Sequence, residues 1–139
     1  SIIGMKYSSY DVPEFIRTVR FAGERIAILS GEEPLFATHV ALGARGGVLA
    51  SASIYPSIWI EIFDLARQNR LKEALALQEK IDPVIGAIFT ETNPGPLKRY
   101  MALAGMPVGG VRLPLLNPGA QTVARLEEAA QQATAARVA

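Results

Sequence analysis

The chain contains no cysteine, so disulfides and thiolate nucleophiles are excluded from its chemistry. It has one histidine, and a zinc centre built from His and Cys is not expected. Neither sign of charge dominates, with 14 Lys and Arg against 13 Asp and Glu. That balance gives no field for a nucleic acid or an anionic membrane surface. No apolar run approaches the ~20 residues that span a bilayer, and no segment reads as a secretory signal. A cytoplasmic protein is expected, with neither nucleic acid nor membrane as a partner. What the chain does have is apolar content: half of its 139 residues are hydrophobic and 19% are charged. That composition belongs to a globular fold with a real core, not to disorder.

Apolar runs alternate with helical patterns. Residues 1–5 read as a strand that begins without a start methionine or a polar lead-in, as expected of the downstream piece of a longer protein. Val12, Phe15, Ile16 and Val19 then share a helical face, with Asp11 as N-cap and Pro13 in the first turn. Residues 26–29 form a second apolar run, ending at Ser30-Gly31. Pro34 opens a helix that carries Leu35, Phe36, Val40 and Leu42 and stops at Gly43. Residues 47–51 predict a third strand, and Pro56 starts a helix with Ile58, Trp59, Ile62, Phe63 and Ala66 inward.

Beyond Asn69 the pattern is helical throughout. Residues 71–89 read as one long helix that Pro83 should bend or break. A further helix runs over 96–104 and stops at Gly105, a Gly- and Pro-rich loop covers 106–117, and an Ala-rich helix follows, its tail expected to fray after Ala130.

Strand followed by helix, three times over, with strands apolar on both faces, is the pattern of a parallel sheet. Three such strands leave unpaired edges. They fit the last three βα units of a (β/α)8 TIM barrel, a fold of about 250 residues. The expectation is therefore α/β: residues 1–70 as three βα units and residues 71–139 as an all-helical C-terminal extension. In such a barrel the chemistry lies at the carboxyl ends of the strands. Those ends gather Lys6, Tyr7 and Ser8; then Ser30, Gly31, Glu32 and Glu33; then Ser51 and Ser53.

These residues resemble a known family. Gly4-Met5-Lys6-Tyr7-Ser8-Ser9 is similar to the Schiff-base lysine strand of the dihydrodipicolinate synthase/N-acetylneuraminate lyase family. Leu29-Ser30-Gly31-Glu32-Glu33 resembles its next strand end, and Gly43-Ala44-Arg45-Gly46-Gly47-Val48-Leu49 the Gly-rich approach to its last barrel strand. Phe89-Thr90-Glu91-Thr92-Asn93-Pro94-Gly95-Pro96-Leu97-Lys98 resembles its Asn-Pro-x-Pro-(apolar)-Lys signature, and Val111-Arg112-Leu113-Pro114-Leu115 its Leu-Arg-Leu-Pro segment.

The resemblance implies a class I aldolase, lyase or synthase that binds pyruvate or a related 2-keto acid as an imine on Lys6, with no cofactor other than that covalent imine. It implies substrate contacts at Gly31, Glu32, Glu33, Leu49 and Ser51 and no metal. It also implies a homo-oligomer, tetramer or dimer. The N-terminal half of the barrel is the implied partner of this half, and it carries the family's proton-relay tyrosine and its carboxylate-binding hydroxyls. Alone, the piece is expected to be inactive. Tyr10 stands where members often have Gly or Asn, and Ile54 where many have Asn, so the particular keto acid and aldehyde stay open. A 2-keto-3-deoxy sugar acid dehydratase on the same scaffold is the nearest alternative, and an incomplete fragment that only packs against a partner is another. Ser1 as an N-terminal nucleophile is set aside, because those hydrolases need antiparallel sheets.

Plainer readings exist for several of these residues. Glu32 and Glu33 would stabilise a helix dipole by about 0.3–1 kcal/mol each. Ser51 and Ser53 are ordinary strand hydroxyls, Gly31 a turn residue and Lys98 a structural charge. His39 is expected to pack or to face solvent.

Overall fold

The computed structural model describes residues 1–135, with side chains through residue 133. The chain forms two compact units, Ser1–Gln78 and Glu79–Ala139.

In the first unit, β1 (Gly4–Tyr7) and β2 (Ala27–Ser30) pair in parallel. The register sets Gly4 against Ala27, Met5 against Ile28, Lys6 against Leu29 and Tyr7 against Ser30. Parallel neighbours need a crossover, and α1 (Val12–Ala22) supplies it. The helix starts where the sequence puts it. The Asp11 carboxylate accepts the Glu14 N–H at 2.7 Å, and Pro13 occupies the first turn, where no intrahelical donor is lost. Its buried face is Phe15 and Ala22.

The third strand expected over 47–51 is reduced to one parallel bridge, Ser30 to Gly47. Ser30 N donates to Gly46 O at 2.9 Å, and Val48 N donates to Ser30 O at 2.8 Å. The chain then turns into a 3-10 segment, Ser51–Ser53. Two glycines in a row at the start of the run hold an extended backbone weakly. Beyond Leu49, contacts between Ser51 and Glu33 turn the chain inward. Within this chain Tyr7 of β1 is buried, Met5 and Lys6 are exposed, and Ile2 and Ile3 are 79% and 83% exposed.

A 3-10 turn (Glu33–Leu35) leads into α2 (Phe36–Ala41), and Gly43 follows at φ 113°, a conformation that favours glycine. Next come α3 (Pro56–Arg67) and α4 (Leu71–Glu79). Trp59, Ile62 and Ala66 recur along the buried side of α3, and Phe36 of α2 meets Trp59 edge-on with centroids 5.2 Å apart. Buried Gln78 fastens α4 to the same unit. Its Oε1 accepts the Ala37 N–H at 3.1 Å and its Nε2 donates to Pro34 O at 2.9 Å. The first unit therefore runs to Gln78, whereas the sequence placed a boundary after Arg70.

The long helix expected over 71–89 is two helices. α4 ends at Glu79, and α5 (Asp82–Ile88) starts with Pro83 in its first turn. The second unit holds α5, α6 (Gly95–Leu103) and α7 (Ala120–Ala135). Its buried side chains include Val84, Ile85, Ile88, Tyr100, Leu126 and Ala129, while Phe89, expected in the apolar stripe, is half exposed. α7 does not fray at Ala130. Ala133 is buried and the helix continues to Ala135; the expected end of the tail, 136–139, lies outside the described residues. Among the described residues no helix is long and apolar enough to cross a membrane.

Gln78 bonds the buried Ala37 N–H and the part-buried Pro34 carbonyl, so removing it takes away both bonds at once. Gln78→Ala should lower unfolding stability by about 1–3 kcal/mol, read as a drop in urea midpoint at unchanged slope. An unaltered midpoint would show that α4 is not held this way.

Candidate active site

Parallel pairing puts the carboxyl ends of β1 and β2 at one edge. The ladder continues one bond past the strands, with Gly31 N donating to Tyr7 O at 2.7 Å. This bond draws the Gly31 backbone alongside the preceding side chain of β1. A Cβ placed on Gly31 would run into Lys6 Cε and the Ser8 hydroxyl, and would lie 3.0 Å from Lys6 Cγ. Glycine leaves room for the lysine stem here, and a side chain at this position would have to displace it. The Lys6 side chain thus crosses the strand end with bare backbone on one side, and the residue is exposed.

Tyr7 points the other way, into the core. Its hydroxyl lies 2.9 Å from Asp11 O and 2.8 Å from Glu14 Oε2, and it donates its proton to these acceptors. Its ring meets Phe15 edge-on at 5.2 Å. Burial first, and then the Glu14 and Asp11 carboxylates, raise its pKa against the lowering effect of Ser9, so it stays a phenol at neutral pH. Alternation along β1 thus turns Tyr7 inward and Lys6 outward.

The two acids after Gly31 part company. Glu32 is half-buried, and its charge lies near the exposed Tyr10 side chain. Partial burial, and then the Glu32 charge, raise the Tyr10 pKa. Glu33 is 2% exposed. Its carboxylate accepts the Ser51 N–H at 2.8 Å and the Ser51 hydroxyl at 2.9 Å, and Trp59 Nε1 donates to Ser51 Oγ at 3.0 Å. Burial raises the Glu33 pKa, the Ser51 and Ala50 donors pull it back, and the neighbouring Glu32 charge adds to the rise.

Of the residues singled out in the sequence, Lys6 and Gly31 are brought into contact, and Glu32 adjoins them. Glu33 and Ser51 meet each other, both fully buried, and turn their polar atoms inward. Leu49 lines an open cavity of about 320 Å³ with Phe36, Gly47 and Trp59, whose walls include neither Lys6 nor Gly31. Lys98, in the second unit, donates to Gly110 O at 2.7 Å, a contact that fits its structural reading. No cluster of potential metal ligands occurs among the described residues.

Two partners escaped the sequence reading. Trp59 registers there only as an apolar helix residue, yet its indole N–H completes the Ser51 contacts. His39, expected to pack or face solvent, is fully buried with Nδ1 at 2.8 Å from Ser30 Oγ. Neither spacing, 51 to 59 or 30 to 39, is a recognised motif; only the folded path brings the pairs together.

A lysine at the carboxyl edge of parallel βα strands, laid over bare glycine backbone, defines an α/β protein with an amine at the place where such folds put their chemistry. The chain matches the model of the dihydrodipicolinate synthetase family over residues 1–133, and it belongs to that family. It is 33% identical to a 4-hydroxy-tetrahydrodipicolinate synthase of Methanospirillum hungatei over 92% of the chain and 44% of that relative. A solved dihydrodipicolinate synthase of Acinetobacter baumannii, complexed with pyruvate, superposes with a TM-score of 0.90 at 28% identity, over 96% of this chain and 46% of that one. An N-acetylneuraminate lyase of Fusobacterium nucleatum shares the fold with a TM-score of 0.82 at 24% identity, over 94% of this chain and 44% of that one. The chain spans a little under half the length of these relatives.

The raised pKa of Glu33 gives a pH signature. A carboxyl whose folded pKa lies above its unfolded value contributes stability below the unfolded value, about 4.3, and loses it as pH climbs through the folded one. Glu33→Gln keeps the shape without the charge. The stability of the parent relative to Glu33→Gln should therefore fall as pH rises from 4 toward neutrality, measured by urea unfolding. A difference that grows with pH would mean that the carboxylate is favoured by its donors.

Proposed function

We propose that the complete protein forms an imine between Lys6 and pyruvate or a related 2-keto acid, and uses it for aldol-type carbon–carbon bond formation or cleavage. The observation that carries this reading is the passage of the Lys6 side chain over Gly31. It fixes an amine at a strand end beside backbone with no side chain to obstruct a small substrate. The pyruvate complex of the Acinetobacter baumannii relative supports the choice of keto acid.

The chemistry follows from the amine. Unprotonated Lys6 Nζ adds to the keto carbon, the hydroxyl leaves as water, and a protonated imine remains. Its positive nitrogen accepts electrons when a proton leaves the adjacent carbon, and the resulting enamine can attack an aldehyde. Hydrolysis then restores the lysine. Glu32, next to Gly31, and the nearby Tyr10 hydroxyl form the part of this edge suited to meeting the distal polar groups of the second substrate. Glu33 and Ser51 act from below by fixing the 50–53 turn.

In this reading the βα units of the first unit are the closing part of a (β/α)8 barrel, and the second unit is a helical extension. The remaining units of the barrel complete the site, in an oligomer. The share of the relatives covered, about 45% of each, supports this proposal.

Treating the complete protein with pyruvate and borohydride should give a secondary-amine adduct at Lys6, and Lys6→Arg should abolish it. Gly31→Ala should slow trapping by at least about tenfold, because the added methyl displaces the lysine stem from its productive position. An adduct at Lys72, Lys80 or Lys98, or none at all, would contradict the assignment.

A further inference from the structure

Beneath the Lys6 edge lies a polar group for which the imine chemistry has no direct use. His39 on α2 has no exposed surface. Its ring is stacked on Phe15 with centroids 3.9 Å apart and meets Tyr7 edge-on at 6.0 Å. Nδ1 lies 2.8 Å from Ser30 Oγ, while Nε2 is buried without a hydrogen-bond partner. An aliphatic side chain would fill this apolar pocket without burying an unpaired nitrogen, so packing alone does not account for an imidazole here.

The use of the ring lies in its one bond. Ser30 Oγ also sits 3.3 Å from Glu32 O and 3.4 Å from Glu32 N. The hydroxyl therefore closes a loop of backbone around Gly31, and His39 is the side chain that fixes that hydroxyl. Ser30 is also the residue paired with Tyr7, one position beyond Lys6, and its neighbour Gly31 bonds to Tyr7 O. His39 thus supports the turn from the core side, and Lys6 lies on its outer side. Burial lowers the pKa of the ring and keeps it neutral, and an imidazolium would place a charged N–H against apolar surroundings.

We propose that His39 is a positioning residue for Lys6: through the Ser30 hydroxyl it holds the Ser30-Gly31-Glu32 turn that the lysine lies across. This inference rests on the reading of Lys6 as the imine-forming lysine.

The test uses the complete protein, with pyruvate and borohydride as probe and circular dichroism to follow folding. The parent must first trap at Lys6; failure there overturns the imine reading itself and leaves the Ser30–His39 bond to be judged from stability alone. Given trapping, His39→Leu fills the pocket but breaks the bond. It should lower the saturating trapping rate about tenfold while the half-saturating pyruvate concentration moves less than about threefold, the pattern of a misplaced reacting group.

His39→Asn carries an amide that reaches the Nδ1 position, and it should recover the rate to within about threefold of the parent. Ser30→Ala should slow trapping as His39→Leu does, and the double variant should be no slower than either single one, because both remove one bond. Should His39→Leu fail to fold, Ser30→Ala and His39→Asn carry the test. Parent-like trapping in His39→Leu, additive losses in the double variant, or no recovery with His39→Asn would each overturn the proposal.

Discussion

The site depends on one hydrogen bond beyond the sheet. Gly31 N reaches Tyr7 O at 2.7 Å, so the β1–β2 register extends into the turn. Everything at this edge follows from it. The bond brings the backbone of residue 31 so close to Lys6 and Ser8 that a side chain there would displace both of theirs. It also holds the turn where Ser30, anchored from below by His39, takes a fixed place. The pairing sits on a packed floor of Tyr7, Phe15 and His39.

The second constraint is the buried Glu33. A carboxylate with 2% exposure is unfavourable unless donors surround it. Ser51 supplies an amide and a hydroxyl, and the Trp59 indole completes the hydroxyl's bonding. The result ties the residue after the Lys6 edge to the segment that would have been a third strand. Two adjacent acids of the same chemistry therefore take different work. Glu32 is left at the surface of the site, and Glu33 becomes part of its frame.

Much of the fold was legible, for local reasons. Asp11, Pro13 and Pro56 mark helix starts, Pro83 marks a break, and Gly43 and Gly105 mark stops, through caps and backbone freedom that a few residues decide. The failures are tertiary. Residues 47–51 have the composition of a strand, but paired glycines and the inward turn of Ser51 leave only a bridge. The boundary after Arg70 followed a change of pattern, whereas Gln78 ties α4 to Pro34 and Ala37, over forty residues upstream. At the strand edge, the convergence of Lys6 and Gly31 could be read from the strand-and-turn pattern. The contacts of His39, Ser51 and Trp59 could not, because each pairs residues whose spacing carries no periodicity.

The central claim is that the parallel register delivers Lys6 across Gly31 as the amine that bonds to a keto acid. A crystal structure of the complete protein soaked with pyruvate tests it most directly. The account predicts continuous density from Lys6 Nζ to the former keto carbon, with the adduct beside the Gly31 backbone and the Gly31–Tyr7 hydrogen bond intact. Pyruvate bound without a covalent link to Lys6, or a lysine turned away from the Ser30-Gly31-Glu32 turn, would contradict it.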